Sequence, residues 1–395
     1  MSSRTRMLGA VKVLGAVTPL GWSVAGCAAV MLGAGYGLGW AELTAIGWAA
    51  AVLVLGALAH LFGQSAHDIT LRVPVDRVVV GERVPGQVDV YNPTGRRLAA
   101  VTVQVPVGAG LAEFPMPSLA PRTGLDEVFV VPAERRGIIP IGPVHTVRQD
   151  PVGLVRLETV LAQRFDLYVH PRTIAIPSMS QGFVRDLEGQ PTRDLTTSDV
   201  AFHALREYQS GDDRRSIHWK STAKTGRFMV RQYEQTRRSH LLVALSLANA
   251  DFAADEEFEL AVSVAGSLGI RAIRDARTVS VQVSSRSLAT LTPTRLLDDL
   301  SGIDLAADAA DLRALARQAA TAVAGLSVAF LVCGSATSLA ALRAAAAGFP
   351  LGVEVVAVVC DPGARPGLRR AGALSVLTIG FLDDLQHSLA RGAAV

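Results

Sequence analysis

At 395 residues, half of them hydrophobic, the chain is too long for a small stapled fold and too apolar for a disordered one. A formal charge of only +3 excludes the global basic field that drives nonspecific nucleic-acid binding, so any basic patch must be local. Its three cysteines, Cys27, Cys333 and Cys360, lie far apart and form neither a disulfide framework nor a CxxC clip, a pattern that suits a reducing compartment.

Val13 to Ala41 carries no charge, Glu42 intervenes, and Leu43 to Ala59 is uncharged again. A span needs about 20 apolar residues, so this predicts a membrane-anchored protein with a two-helix transmembrane hairpin in residues 1–66, its spans at about 13–38 and 43–62, turning through the Gly-rich run Gly33 to Gly39 with Trp40 at interface level. Arg4, Arg6 and Lys12 precede the first span while the turn carries only Glu42, which places both ends, and everything after Gly63, on the cytoplasmic side of the inner membrane. A cleaved signal peptide has a shorter apolar core and no second span behind it. Val24-Ala25-Gly26-Cys27 resembles a lipoprotein box, yet the residues after it stay apolar, which favours small residues packing two helices closely over a lipidated Cys27.

From residue 67 to 178 the pattern switches to period two, as in Gly86-Gln-Val-Asp-Val-Tyr91 and Val101-Thr-Val-Gln-Val105, punctuated by turns such as Asn92-Pro93-Thr-Gly95 and Asp150-Pro151-Val-Gly153. Short alternating strands at regular spacing predict an antiparallel β-sandwich. Arg135-Arg136-Gly137 reads as a solvated turn within it.

Residues 179–239 hold the most specific signature. Between Arg206 and Glu234 seven Lys or Arg and four Asp or Glu interleave with Tyr208, Trp219, Phe228 and Tyr233. One reading makes Asp212, Asp213, Arg214 and Arg215 an ionic latch with Trp219 buried beneath, because arginine pairs carboxylates in planar, two-pronged fashion. The same turn can instead be a docking face, charges selecting the partner around an aromatic anchor. His203, Glu207, Asp212 and His218 offer acid and base groups, but catalysis needs them in one pocket, which adjacency does not establish. No Walker lysine loop, Gly-x-Ser-x-Gly elbow or His-Glu-x-x-His helix accompanies them, so no catalytic residue is assigned. Lys220, Lys224, Arg227, Arg231, Arg237 and Arg238 form a basic string with aromatics, but the acids sharing the segment argue for a self-paired face rather than a nucleic-acid site.

Residues 240–395 alternate strand and helix: Leu241 to Leu247, a helix over 256–276, Thr278 to Val283, helix over 293–323, Leu326 to Val332, a helix over 338–347, Val353 to Val359, Leu374 to Ile379 and a helix over 382–391. This predicts an α/β doubly wound, mainly parallel sheet, with ligands at the carboxyl ends of its strands. The positions to inspect there are Ser246, Asn249, Asp251, Ser284, Cys333, Ser335 and Asp361.

Two spans, a sandwich, Arg206-Glu-Tyr208, Gly211-Asp-Asp-Arg214 and Ile217-His-Trp-Lys220 in that order, and the α/β tail together resemble the bacterial family called domain of unknown function 58. Arg135-Arg-Gly137 and Asp150-Pro-Val-Gly-Leu154 also look like its motifs. The resemblance implies a tail similar to a von Willebrand factor A domain and an association with MoxR-type AAA+ ATPases, and it brings no established enzymatic activity. Such domains often hold a divalent cation through Asp-x-Ser-x-Ser after the first strand. Here that run is Ser246-Leu-Ala248-Asn-Ala250, a degenerate site, and Asp251 reads as the amino-terminal cap of the next helix, so neither metal nor cofactor is expected. The expectation is a membrane-tethered, non-enzymatic adaptor presenting Arg206, Glu207, Tyr208, Gly211, Asp212, Asp213, Arg214, Trp219 and Lys220 to an ATPase of MoxR type. The alternative is a ligand- or metal-sensing A-type binding domain.

Overall fold

The computed structural model describes residues 15–59, 67–176, 200–209, 217–235, 240–275, 277–284 and 286–392. The chain divides into two compact units, Met1–His170 and Pro171–Val395.

The first unit begins with α1 (Pro19–Leu38) and α2 (Ala41–Ala59), both long and apolar enough to cross a membrane. Their apolar side chains run all the way round, and Leu20, Trp22, Val30, Trp48, Val52 and Leu55 stay exposed, which suits hydrocarbon surroundings rather than a water-facing surface. Small residues set the spacing between them. A Cβ on Gly35 would lie 2.7 Å from the Thr44 backbone nitrogen, and one on Gly47 would lie 2.7 Å from Leu32. The turn is tighter than the Gly-rich run suggested: Gly33 to Leu38 remain helical, and reversal needs only Gly39, left-handed at φ 70°, and Trp40. Staying helical to Leu38 keeps the backbone groups of those six residues paired, which an irregular turn would leave open.

After the helices come β1 (Asp68–Arg72), β2 (Arg77–Val79), β3 (Arg83–Tyr91), β4 (Val101–Val107), β5 (Gly110–Met116), β6 (Gly124–Pro132), β7 (Gly137–Ile141), β8 (His145–Gln149), β9 (Arg156–Val160) and β10 (Phe165–His170). They form a three-stranded sheet, β1-β3-β6, and a larger one, β2-β10-β7-β4-β8-β9 with β5 against β4. Pairing is antiparallel except where β2 joins β10 in parallel. Val84, Val88 and Val90 from one sheet and Val101, Val103 and Val105 from the other point to a shared core, the period-two pattern made physical. Arg136, expected in a solvated turn, is instead buried.

Unit one is closed at its helical end by the loop after β8. The Thr18 hydroxyl donates to the Gly153 carbonyl at 2.8 Å and accepts from the Gly21 amide at 3.0 Å, capping α1, while Val17 bridges Val155. Leu154, Val155 and Ala57 form a small cluster with Val24, Val54 and Leu58. The ends of both helices are thus packed onto that loop.

In the second unit, β11 (Val200–Glu207) and β12 (Met229–Gln235) form an antiparallel hairpin enclosing α3 (Trp219–Thr225). Beyond it run β13 (His240–Leu245), α4 (Asp255–Arg274), β14 (Thr278–Val283), β15 (Arg286–Ser287), α5 (Pro293–Ser301), α6 (Leu312–Ala322), β16 (Leu326–Gly334), α7 (Leu339–Ala346), β17 (Glu354–Cys360), β18 (Gly367–Ala371), β19 (Leu374–Ile379) and α8 (Leu382–Gly392). The sheet order is β15-β14-β13-β16-β17-β19-β18, with β14, β13, β16, β17 and β19 parallel and the two edge strands antiparallel. Alternate residues of β13 face opposite layers. Leu241, Val243 and Leu245 meet Phe258, Ala261 and Leu268 of α4, and Leu242 and Ala244 meet Leu312, Leu315 and Ala319 of α6. Thr292, Asp311 and Ser338 cap α5, α6 and α7 through their side chains.

His240 opens β13 with its Nε2 2.9 Å from the Ser280 hydroxyl. Burial holds its pKa below the usual imidazole value of 6.5, and a backbone group of Ala324 only partly offsets this. The unfolded chain therefore binds a proton at this site before the folded one does, and the contribution to stability falls as pH drops below about 6.5. Glu354, whose pKa burial raises, acts in the opposite direction. A His240→Gln variant isolates the histidine: its melting temperature should fall less than the native protein's between pH 7 and pH 5.5, and equal falls would refute the assignment.

Candidate functional site

Two places gather polar and aromatic groups. The first is the hairpin with its helix. Ile217 bridges Val230, the His218 amide donates to the Met229 carbonyl at 2.7 Å, and the Met229 amide donates to the Thr222 hydroxyl at 3.1 Å, so α3 is strapped along the start of β12. That strapping leaves an aromatic stack. The Phe228 ring meets Tyr208 and Trp219 edge-on, at centroid separations of 6.3 and 6.2 Å. Trp219, expected beneath an ionic latch, is 65% exposed, and Phe228 is 53% exposed. The reason is local: α3 buries none of its side chains, and the apolar contacts under it are made by Ile217 and Val230.

Lys220, Lys224 and Arg227 are exposed around the stack, and Arg227 pairs with Glu207 at 3.3 Å. Exposed at both partners, that pair contributes little stability. His218 Nδ1 lies 2.7 Å from the Ser221 hydroxyl. Glu207 and His218 both flank Met229, the first opposite it in the β11–β12 register and the second through its amide, and among the described residues no bond between their side chains is seen. Arg206 and His203 lie in β11 with side chains outside the described residues, as is the Arg231 side chain in β12. Gly211, Asp212, Asp213, Arg214, Arg215, Arg237 and Arg238 lie outside the described residues altogether.

The second place is the crevice past the carboxyl ends of β13 and β16, where the strand order reverses and this architecture places ligands. Ser246, fully buried, donates to Asp251 Oδ2 at 2.5 Å and accepts from the Ala248 amide at 3.2 Å. Asp251 sits in a 3-10 turn, Asn249–Asp251, and does not cap α4; the cap position is Ala254, with no side-chain bond. The turn ends before the helix starts, so the carboxylate is turned back toward β13 instead.

Glu257, which sequence reasoning passed over, is the buried carboxylate of the crevice. It accepts from the amides of Ala253 at 2.9 Å and Ser335 at 3.0 Å, and from the Ser335 hydroxyl at 2.6 Å. In the sequence it is one of three acids, Asp255-Glu256-Glu257, that read as ordinary first-turn charges of a helix. A Cβ on Gly334 would lie 2.5 Å from its Oε2 and 2.6 Å from the Asp251 carbonyl, so the approach is possible only with glycine there. Cys333 behind it has its thiol pushed up to about 12 by burial, with the charges of Asp251 and Glu257 adding. Ala248 forms a bridge to Ala306, and Ala250 is exposed. Among the described residues no three His, Cys, Asp or Glu side chains gather to hold a metal ion. The other strand-end positions lie apart: Asp361 closes its own turn onto the Gly363 amide at 3.0 Å, and Ser284 has a buried hydroxyl without a hydrogen bond.

Several solved structures match part of the chain at low overall similarity. A CARDB domain from Pyrococcus furiosus, in complex with di-metal ions, is 21% identical over 26% of this chain and 91% of its own, with a TM-score of 0.21. The C-terminal domain of wzt is 10% identical over 27% of this chain and 75% of its own, at 0.22, and a beta-glucosidase from Listeria innocua is 11% identical over 27% and 17%, at 0.18. Scores at that level carry no argument about fold or function. No curated protein matches the sequence. Residues 204–330, which run from within the hairpin through β13 and α4 into β16, match the family model described as "Protein of unknown function DUF58".

Proposed function

We propose that this protein is a membrane-tethered, non-enzymatic adaptor: a transmembrane helical hairpin and a β-sandwich carry an α/β domain of the von Willebrand factor A type, whose hairpin docks a cytosolic AAA+ ATPase of the MoxR type. The observation that carries the reading is the cluster of half-buried Tyr208 with exposed Phe228 and Trp219, with Lys220, Lys224 and Arg227 exposed on the same segment. Exposed Trp and Tyr flanked by charge are the side chains that dominate protein interfaces, since each covers much area for few torsions lost. The parallel sheet and the oxygen-lined turn after β13 support the A-type assignment. Asp251 and Glu257 are bonded to the chain's own hydroxyl and amide groups, which favours a binding role without a cation over metal sensing.

The test is co-purification of a co-expressed MoxR-type ATPase with the full chain extracted from membranes. Replacing Trp219 and Phe228 by Ser should reduce recovery at least tenfold, about 1.4 kcal/mol or more. Reversing Asp212 and Asp213 to Lys should do the same, with the amount of chain in the membrane fraction unchanged. Full recovery with both variants would remove the docking face.

A further inference from the structure

A buried arginine and histidine near the helical end of the first unit keep side-chain nitrogens without a close hydrogen-bond acceptor. Arg148, on β8, is 8% exposed, and neither its Nε nor its Nη2 makes a hydrogen bond. His67, just before β1, is 5% exposed, and neither ring nitrogen makes one. The register explains why the guanidinium is inside. Thr146 lies opposite Val103, so Arg148, two residues on, shares the face that Val101 and Val103 turn to the core. The nearby acid does not answer it: Asp150 accepts from the amides of Val152 and Val155, at 3.0 and 2.7 Å, and makes no bond to either of those Arg148 nitrogens.

An arginine stays charged at any accessible pH, and a buried charge without a counter-group is among the costliest arrangements in a protein, so the pair calls for an anion. We propose that His67 and Arg148 form a phosphate-binding site where the first unit meets its membrane anchor. The guanidinium fork presents two N–H groups at the spacing of two phosphate oxygens, and an imidazole N–H adds a third donor. Burial, with the Arg148 charge adding to it, holds His67 below the usual imidazole range, and a backbone group of Ala99 only partly offsets this, so it donates as a neutral ring near pH 7.

The location selects phosphate among anions. Arg148 is six residues from Leu154, on which the ends of α1 and α2 pack, and His67 follows α2 by eight residues. Six residues reach at most about 20 Å, which bounds the distance of Arg148 from the helix ends, and the proposal rests on these helices spanning for a lipid headgroup as the source of the phosphate. A lipid headgroup and free phosphate share the chemistry.

The experiment uses the full chain in neutral detergent and in nanodiscs. In detergent, millimolar phosphate should raise the melting temperature by roughly 2–4 °C over chloride or acetate at equal ionic strength. In nanodiscs, phosphatidylglycerol should give a similar rise over phosphatidylcholine if the headgroup is the ligand. A response to phosphate alone assigns the site to the free ion. Arg148→Met should abolish both responses while leaving the chain as stable as the native protein or more so, because it removes an unpaired buried charge. Should that variant not fold, Arg148→Lys keeps the charge without the fork and should weaken phosphate binding several-fold. No response to either phosphate source, an equal response to acetate, or a full response from Arg148→Met overturns the site. Extraction of the chain by carbonate with the phosphate response intact would instead refute the anchor and leave the pair standing.

Discussion

Replacing Glu257 by Ala is expected to destabilise the carboxyl-terminal unit by about 2–4 kcal/mol. The loss is not that of one bond. Truncation strands the Ala253 amide, the Ser335 amide and the Ser335 hydroxyl together, all of which converge on that one carboxylate. A buried donor left without an acceptor costs about 1–3 kcal/mol, and here the sum is smaller because Ala253 is exposed and Ser335 half-buried, so water can reach them. Glu257→Gln retains the shape but turns an amide toward at least one donor, and should cost about half as much. Cys333 and Cys360 supply a reporter confined to this unit, being fully buried in the two layers against its sheet. With the Cys333 thiol held at about 12, a maleimide reagent labels it only through opening of the fold. In a Cys27→Ser background, labelling of Glu257→Ala should therefore be at least about tenfold faster than that of the parent. Unchanged labelling and melting would show that the crevice does not brace β13 against β16.

Placing Leu at Gly21 is expected to lift α1 off the loop after β8. A Cβ there would lie 2.2 Å from the Leu154 carbonyl oxygen and 3.1 Å from its carbon, backbone atoms that cannot swing aside. Loss of that seat also breaks the Thr18 bonds to Gly153 and Leu154, at 2.8 and 3.1 Å, and opens the cluster of Ala57, Leu154 and Val155. Val17 and Val155 face one another across an antiparallel bridge, a spacing of about 4.5–5.5 Å between Cα atoms that a disulfide can close. Cysteines at those two positions should cross-link almost completely under mild oxidation, in a background without Cys27. Adding Gly21→Leu should cut the yield to about a tenth or less, in step with about 1.4 kcal/mol or more lost from the seat. A persistent cross-link would mean that α1 is held by contacts other than this one.

The legible parts of the chain were those where a period or a run is itself the cause. Uncharged stretches became α1 and α2, alternating valines became the facing layers of the first unit, and the strand and helix rhythm after residue 240 became a parallel sheet covered on both faces. Strand β18 was not legible, because an edge strand reading Gly-Leu-Arg-Arg-Ala faces solvent along its length and has no apolar alternation to betray it. Nor was Trp219: its apolar bulk reads as core in any window, and only the seating of α3 on Ile217 and Val230 left it outside.

Residue identity alone thus settled the pattern of each segment: which stretches are apolar all round, which are apolar on one face, and where charge gathers. Those are local transfer free energies, summed over neighbours along the chain. What the tertiary structure decided was pairing between distant positions. Glu257 meets Ser335 across 78 residues, Thr18 meets Gly153 across 135, and Arg148 turns inward beside His67, because sheet order and register bring these positions together. Such partnerships depend on closing long loops rather than on any neighbouring residue, so no window of sequence contains them.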